Sequence, residues 1–256
     1  MPGADMADTV RVVFLGASNL SLGWPYLMER VFFRHDGPLE ILTAHGMGRS
    51  YVADSRFGWR VAPGILECGL WDAIRETGQP MPAAALITDL GNDLVYGRSA
   101  ALLADAAAEA VDRLRGYNSE CSIVVTRPPM ESIASLSGIR FRFFRTVLFP
   151  GSRRSLAELV EATTELDDRI RRLDGVTVVP QPGSWFGFDP IHIRRRFRRI
   201  AFTNMLAAWP GRDRQEETQL PVIPLRRPVM ASRRLLGRLR TAEQPSVTGG
   251  VSVSAW

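Results

Sequence analysis

The sequence predicts a single α/β domain of three layers, a parallel sheet with helices on both faces. Two observations carry this. Five short runs rich in β-branched and aliphatic residues recur along the chain, and helix-like stretches separate them. The runs are continuous, as in Val10-Arg11-Val12-Val13-Phe14-Leu15 and Ile123-Val124-Val125, which suits strands covered on both faces. Regular alternation of strand and helix gives right-handed parallel crossovers.

The elements follow in order. Strands are expected at 9–16, 39–45, 84–90, 121–127 and 176–180. Helices are expected after each, at 20–33, 63–76, 99–115, 155–173 and 192–209. The pattern stops at Pro210-Gly211, so residues 1–210 read as the domain. Residues 211–256 mix Pro, Arg, Ser and Gly and read as an Arg/Pro-rich, largely disordered tail with one short amphipathic piece at 231–240.

Bulk properties exclude several classes. Apolar residues make up 45% of 256, ample for a core. No apolar run approaches the ~20 residues that cross a bilayer, and residues 1–8 carry no basic leader, so a cytoplasmic protein is expected. Cys68 and Cys121 form no C-x-x-C pair, and His35, His45 and His192 lack ligand spacing, so neither metal nor cofactor is expected. All basic residues are arginines, and of the net charge of +5 the tail holds +4, eight Arg against four acids. The body is nearly balanced, which argues against nucleic acid as a partner. The arginines at 194–199 crowd the start of the last helix and could attract an anionic substrate, although a solvated face explains them as well. The piece 232–240 could touch an anionic membrane as a short basic helix.

Four fragments lie just past strand ends on one edge of the expected sheet: Gly16-Ala17-Ser18-Asn19, His45-Gly46-Met47-Gly48, Leu90-Gly91-Asn92-Asp93 and Asp189-Pro190-Ile191-His192. Singly, each has a plain local role as a helix cap or tight turn. Together and in this order they resemble the four blocks of the SGNH (GDSL-type) hydrolases, over roughly residues 9–209. The resemblance implies a flavodoxin-like three-layer sandwich with a five-stranded parallel sheet, and a serine esterase. It implies Ser18 as nucleophile, His192 as base and Asp189 as the group that orients the imidazole. It also implies an oxyanion hole made of the Ser18 and Gly48 backbone N–H groups and the Asn92 side chain, with Gly46 as the alternative to Gly48.

The chemistry fits these residue types. A serine hydroxyl needs a neighbouring base to attack at neutral pH, and imidazole titrates in the useful range. The oxyanion needs fixed donors. Two positions depart from the family's pattern: Ala17 stands where Asp is usual, and Ile193 where Pro often follows the histidine. The Ala17 change implies a site braced differently. The expected partner is a small-molecule ester or thioester carrying a small-to-medium acyl group. Acyl transfer by the same residues, and an inactive binding protein of this fold, stay open at this level.

The segment 131–154 carries Phe141, Phe143, Phe144 and Phe149 among arginines, and its position after the fourth strand puts it over the same edge. It reads as a packed aromatic connection, or as a pocket wall or lid.

Overall fold

The computed structural model describes residues 9–35, 37–78, 81–148, 151–210, 226–248 and 250–256. Five parallel strands form the middle of the main sheet: β1 (Val10–Leu15), β2 (Leu39–Ala44), β5 (Pro82–Ile87), β6 (Ser122–Thr126) and β7 (Thr177–Val179). Their order is β2-β1-β5-β6-β7, so the chain reverses its direction of winding between β1 and β5. Loops leaving the carboxyl ends of those two strands flank a crevice, the usual ligand position in such sheets.

The alternation hidden inside the apolar runs sorts two cores. Val13, Leu15, Leu42, Ala85, Ile87 and Val125 pack against α2 (Leu70–Thr77), α4 (Ala100–Tyr117) and α7 (Leu156–Ile170). Val12, Phe14, Ile41, Leu86 and Val124 pack against α1 (Ser18–Arg34) and α8 (Arg198–Leu206). These are the three layers the sequence predicts. Local signals set the helix starts. The Ser99 side chain accepts from the Leu102 N–H at the head of α4. Ser155 and Glu158 form a reciprocal capping box at the head of α7. The last helix starts later than expected: a 3-10 turn covers Arg195–Phe197 and α8 begins only at Arg198.

Two expectations about the C-terminal segment are corrected. Among the described residues the main sheet has seven strands, not five. β10 (Ser246–Thr248) and β11 (Val251–Ala255) extend it, with β11 parallel to β2 and β10 antiparallel to β11. Val251, Val253 and Ala255 are buried there, so the alternating Val-Ser-Val-Ser-Ala covers the otherwise open edge of β2. The tail is therefore ordered over most of its second half, whereas 211–225 lie outside the described residues.

The piece read as a basic helix is a hairpin instead, β8 (Ser232–Leu235) and β9 (Arg238–Thr241). Leu236 and Gly237 both have positive φ, 52° and 76°, which is the geometry of a two-residue hairpin turn. This hairpin joins β3 (Ser55–Phe57) and β4 (Arg60–Ala62) in a second, antiparallel sheet of order β3-β4-β8-β9. Short helices α3 (Asn92–Val95), α5 (Met130–Ala134) and α6 (Gly138–Leu148) complete the fold. Among the described residues no helix is long and apolar enough to cross a membrane.

Candidate active site

Ser18 opens α1 directly after β1 and is 3% exposed. The loop that carries it is held from two directions. Asp89, just past β5, accepts from the Ala17 N–H (2.8 Å) and the Asn19 N–H (3.0 Å) through one carboxylate oxygen, and from the Asn19 side-chain amide (2.8 Å) through the other. Asn19 then reaches the fourth loop: its amide donates to the Ile191 carbonyl (2.9 Å) and its oxygen accepts from the Ile193 N–H (2.9 Å). One asparagine thus ties the residue after Ser18 to both neighbours of His192.

Asp189 and His192 meet as the sequence predicts. His192 Nδ1 lies 2.6 Å from Asp189 Oδ2, while Asp189 Oδ1 accepts from the Ile191 and His192 N–H groups at 3.0 and 3.2 Å. Burial works to raise the Asp189 carboxyl, but the hydrogen bond and charge of His192 outweigh it, and the carboxyl sits below its ordinary value. With the Asp189 carboxylate on Nδ1, Nε2 is the ring nitrogen that this pair does not engage. α5 supports this loop, because the Ser132 hydroxyl donates to the Pro190 carbonyl at 2.8 Å.

His45 offers no competing base. It is buried, stacked on Trp24 with ring centroids 5.1 Å apart, and bonded through Nδ1 to the Thr43 hydroxyl at 2.7 Å. Burial first, then the charges of Arg49, Arg227 and Arg60, push it down to about 3. The thiols are equally unsuited as nucleophiles: burial raises both Cys68 and Cys121, the latter to about 12. Among the described residues no cluster of His, Cys, Asp or Glu could hold a metal ion.

Gly48 sits in a turn closed by the Arg49 N–H on the Gly46 carbonyl (3.2 Å), with φ of 65° at Gly48. That conformation explains glycine there. Asp93 couples this turn to the third loop, since its carboxylate accepts from the Tyr51 N–H at 2.9 Å. Asn92 heads α3 and lines a cavity walled by Leu90, Pro128, Ile133, Leu136, Phe141 and Phe144. The cavity also touches Asn19 and Ile191, the chain neighbours of Ser18 and His192, but neither of those two residues themselves. Phe141 and Phe144 come from α6, so the aromatic segment 131–154 packs and lines the pocket at once. Phe149 lies outside the described residues.

Sequence reasoning missed Asn19 and Asp89. The available signal was an acid ending an otherwise apolar strand. Asp89 has φ of 64°, a conformation that is costly for a side-chain-bearing residue and one tolerated best by Asn and Asp.

The chain is similar to solved structures of esterases. Esterase EstA from Pseudoalteromonas sp., inhibited by monoethylphosphonate, is 9% identical, with a TM-score of 0.44 over 77% of this chain and 95% of that one. A mutant acetyl esterase with acetate ion is 11% identical, with a TM-score of 0.45 over 77% of this chain and 94% of that one. A carbohydrate esterase family 3 protein from Talaromyces cellulolyticus is 11% identical, with a TM-score of 0.41 over 76% and 93%. No family model and no curated protein matches the sequence.

Proposed function

We propose that this chain is a serine hydrolase that cleaves an ester or thioester of a small-to-medium acyl group through an acyl-enzyme on Ser18. The observation that carries the reading is the Asn19 bridge, which links the Ser18 loop to the loop holding the Asp189–His192 pair. In this reading His192 removes the proton from the Ser18 hydroxyl as its oxygen attacks the ester carbon. Asp189 fixes the imidazole tautomer and stabilises the imidazolium. The Ser18 and Gly48 N–H groups and the Asn92 amide receive the oxyanion. His192 then protonates the leaving group, and water takes the reverse route to release the acid. The apolar cavity beside Asn92 suits the acyl chain.

The test is a fluorophosphonate probe followed by mapping of the modified residue, with p-nitrophenyl esters of increasing chain length as substrates. Ser18 should carry the label, and Ser18→Ala should abolish both labelling and turnover. Full labelling of Ser18→Ala would refute the assignment.

A further inference from the structure

The second sheet holds a charge pattern that the hydrolase reading does not use. Its four strands carry six arginines, Arg56, Arg60, Arg233, Arg234, Arg238 and Arg240, and no acid. The register sets Phe57, Arg60, Leu235 and Arg238 in one row. Arg233 faces Arg240 directly, two residues further along the same face. Like charges in directly opposed positions destabilise a strand pair. The register puts Arg233 and Arg60 on one face, and burial first, then the Arg233 charge, lowers the Arg60 guanidinium.

The turns of this sheet carry large apolar side chains where water would favour polar ones. Trp59 is 76% exposed and Leu236 68%. Leu236 holds φ of 52° in a turn that favours Asn or Gly, and its N–H donates to the Trp59 carbonyl at 3.1 Å, so the two tips lie side by side. The face adjoins the candidate oxyanion turn: Arg60 donates to the Met47 carbonyl at 3.0 Å, and Phe57 lies over Gly48.

We infer that the β3-β4-β8-β9 sheet is a docking surface for an anionic lipid membrane, with Trp59 and Leu236 entering between headgroups while Arg233, Arg238 and Arg240 meet lipid phosphates. Charge complementarity selects the partner, because four strands with six arginines and no acid fit a layer of phosphates, even with Asp54 and Glu67 bordering Arg233 and Arg234. The apolar tips select a membrane over a nucleic acid. Tryptophan and leucine on adjoining turns suit the water–lipid boundary, whereas single strands stack on a series of aromatic rings along a sheet face, where these strands offer Phe57 alone. The inference concerns binding only and does not depend on the hydrolase reading.

The test is cosedimentation of the full chain with phosphatidylcholine vesicles, with and without phosphatidylglycerol. Binding should require phosphatidylglycerol and weaken as salt is added. Replacing Arg233 and Arg240 together by Gln should weaken it roughly 30-fold, each charge near the surface being worth about a factor of five. Trp59→Ser with Leu236→Ser should weaken it on the order of tenfold through lost apolar burial. An environment-sensitive fluorophore on Leu236→Cys should shift to the blue on binding. Melting temperatures of the variants check folding, and the arginine pair variant should be no less stable than wild type. Binding indifferent to phosphatidylglycerol would overturn the inference. So would loss in the arginine variant alone, with the tip variant and fluorophore unchanged. Tighter binding of single-stranded RNA through the same residues would overturn it in favour of a nucleic acid.

Discussion

Asp89→Asn removes one charge and keeps the shape, so it isolates what the carboxylate does. The wild-type group accepts three hydrogen bonds, two through Oδ2 and one through Oδ1. An amide can keep only one oxygen. If that oxygen faces the Ala17 and Asn19 N–H groups, the new NH2 faces the Asn19 NH2, donor against donor. Asn19 could turn its own amide over, but it would then lose the Ile191 carbonyl and the Ile193 N–H. Either way one buried donor goes unmet, which costs about 1–3 kcal/mol. Removing a buried charge offsets part of this, since burial holds the Asp89 carboxyl above its ordinary value against the Asn19 and Ala17 hydrogen bonds. A net loss of about 2 kcal/mol corresponds to a melting temperature lower by roughly 4–8 °C.

The kinetic effect should be larger. Misplacement of the nucleophile by about 1 Å costs on the order of 100-fold, so kcat should fall that far with KM little changed. The pH dependence has a fixed sign. A carboxyl raised in the folded state contributes stability that is present below its unfolded value and lost as pH rises through its folded value. The stability gap between wild type and Asp89→Asn should therefore widen on acidification. Calorimetry and ester kinetics on both proteins decide the matter. A variant within twofold in kcat and within a degree or so of the wild-type melting temperature would refute the bracing role.

Three further expectations follow from the same geometry. Asn92→Ala should lose roughly 10²–10³ in kcat with little change in KM if its amide meets the oxyanion; a folded variant with wild-type kcat would remove it from the site. Deleting residues 211–256 should sharply lower solubility and melting temperature, read by centrifugation and thermal unfolding, because β11 covers the edge of β2 and buries Val251 and Val253. Asp189, held below its ordinary value, contributes stability present above its unfolded value and lost as pH falls through its folded value; Asp189→Asn should flatten the acid limb of a stability–pH profile.

The parallel sheet was legible because strands buried on both faces must be apolar throughout, and 10–15 and 123–125 are little else. The four loop fragments stood out because their order resembles a known constellation. The tail was misread for a physical reason. Val251 to Ala255 alternate, so they read as a half-exposed strand or none until β2 supplies a partner. At 231–240 the Arg and Leu pattern suits a helix as well as a strand, and only Leu236-Gly237 marks the turn. Asp93 shows a subtler limit. Nothing in the fragment Leu90-Gly91-Asn92-Asp93 shows that its carboxylate holds the Tyr51 N–H just beyond the Gly48 turn. A substitution at Asp93 would therefore disturb the segment just after Gly48 as well as the third loop.

The departure at position 17 now has a structural counterpart. The acid that the resemblance leads one to expect at that position is absent, and Asp89 supplies a carboxylate to the Ala17 and Asn19 N–H groups from across the β1–β5 crevice. If Asp89 does the work of the missing acid, the two positions exclude one another. Ala17 is fully buried, so Ala17→Asp would set a second carboxylate beside Asp89, away from bulk water. Two such groups cannot both ionise at low cost, and the single variant should lose stability and nearly all turnover. Adding Asp89→Ala removes the conflict and returns one carboxylate to the loop. The double variant should therefore melt higher than Ala17→Asp and recover part of its kcat, a non-additive pair in a double-mutant cycle. Additive losses would show that Asp89 braces the loop in a way no acid at 17 can replace, and the exchange argument would fail.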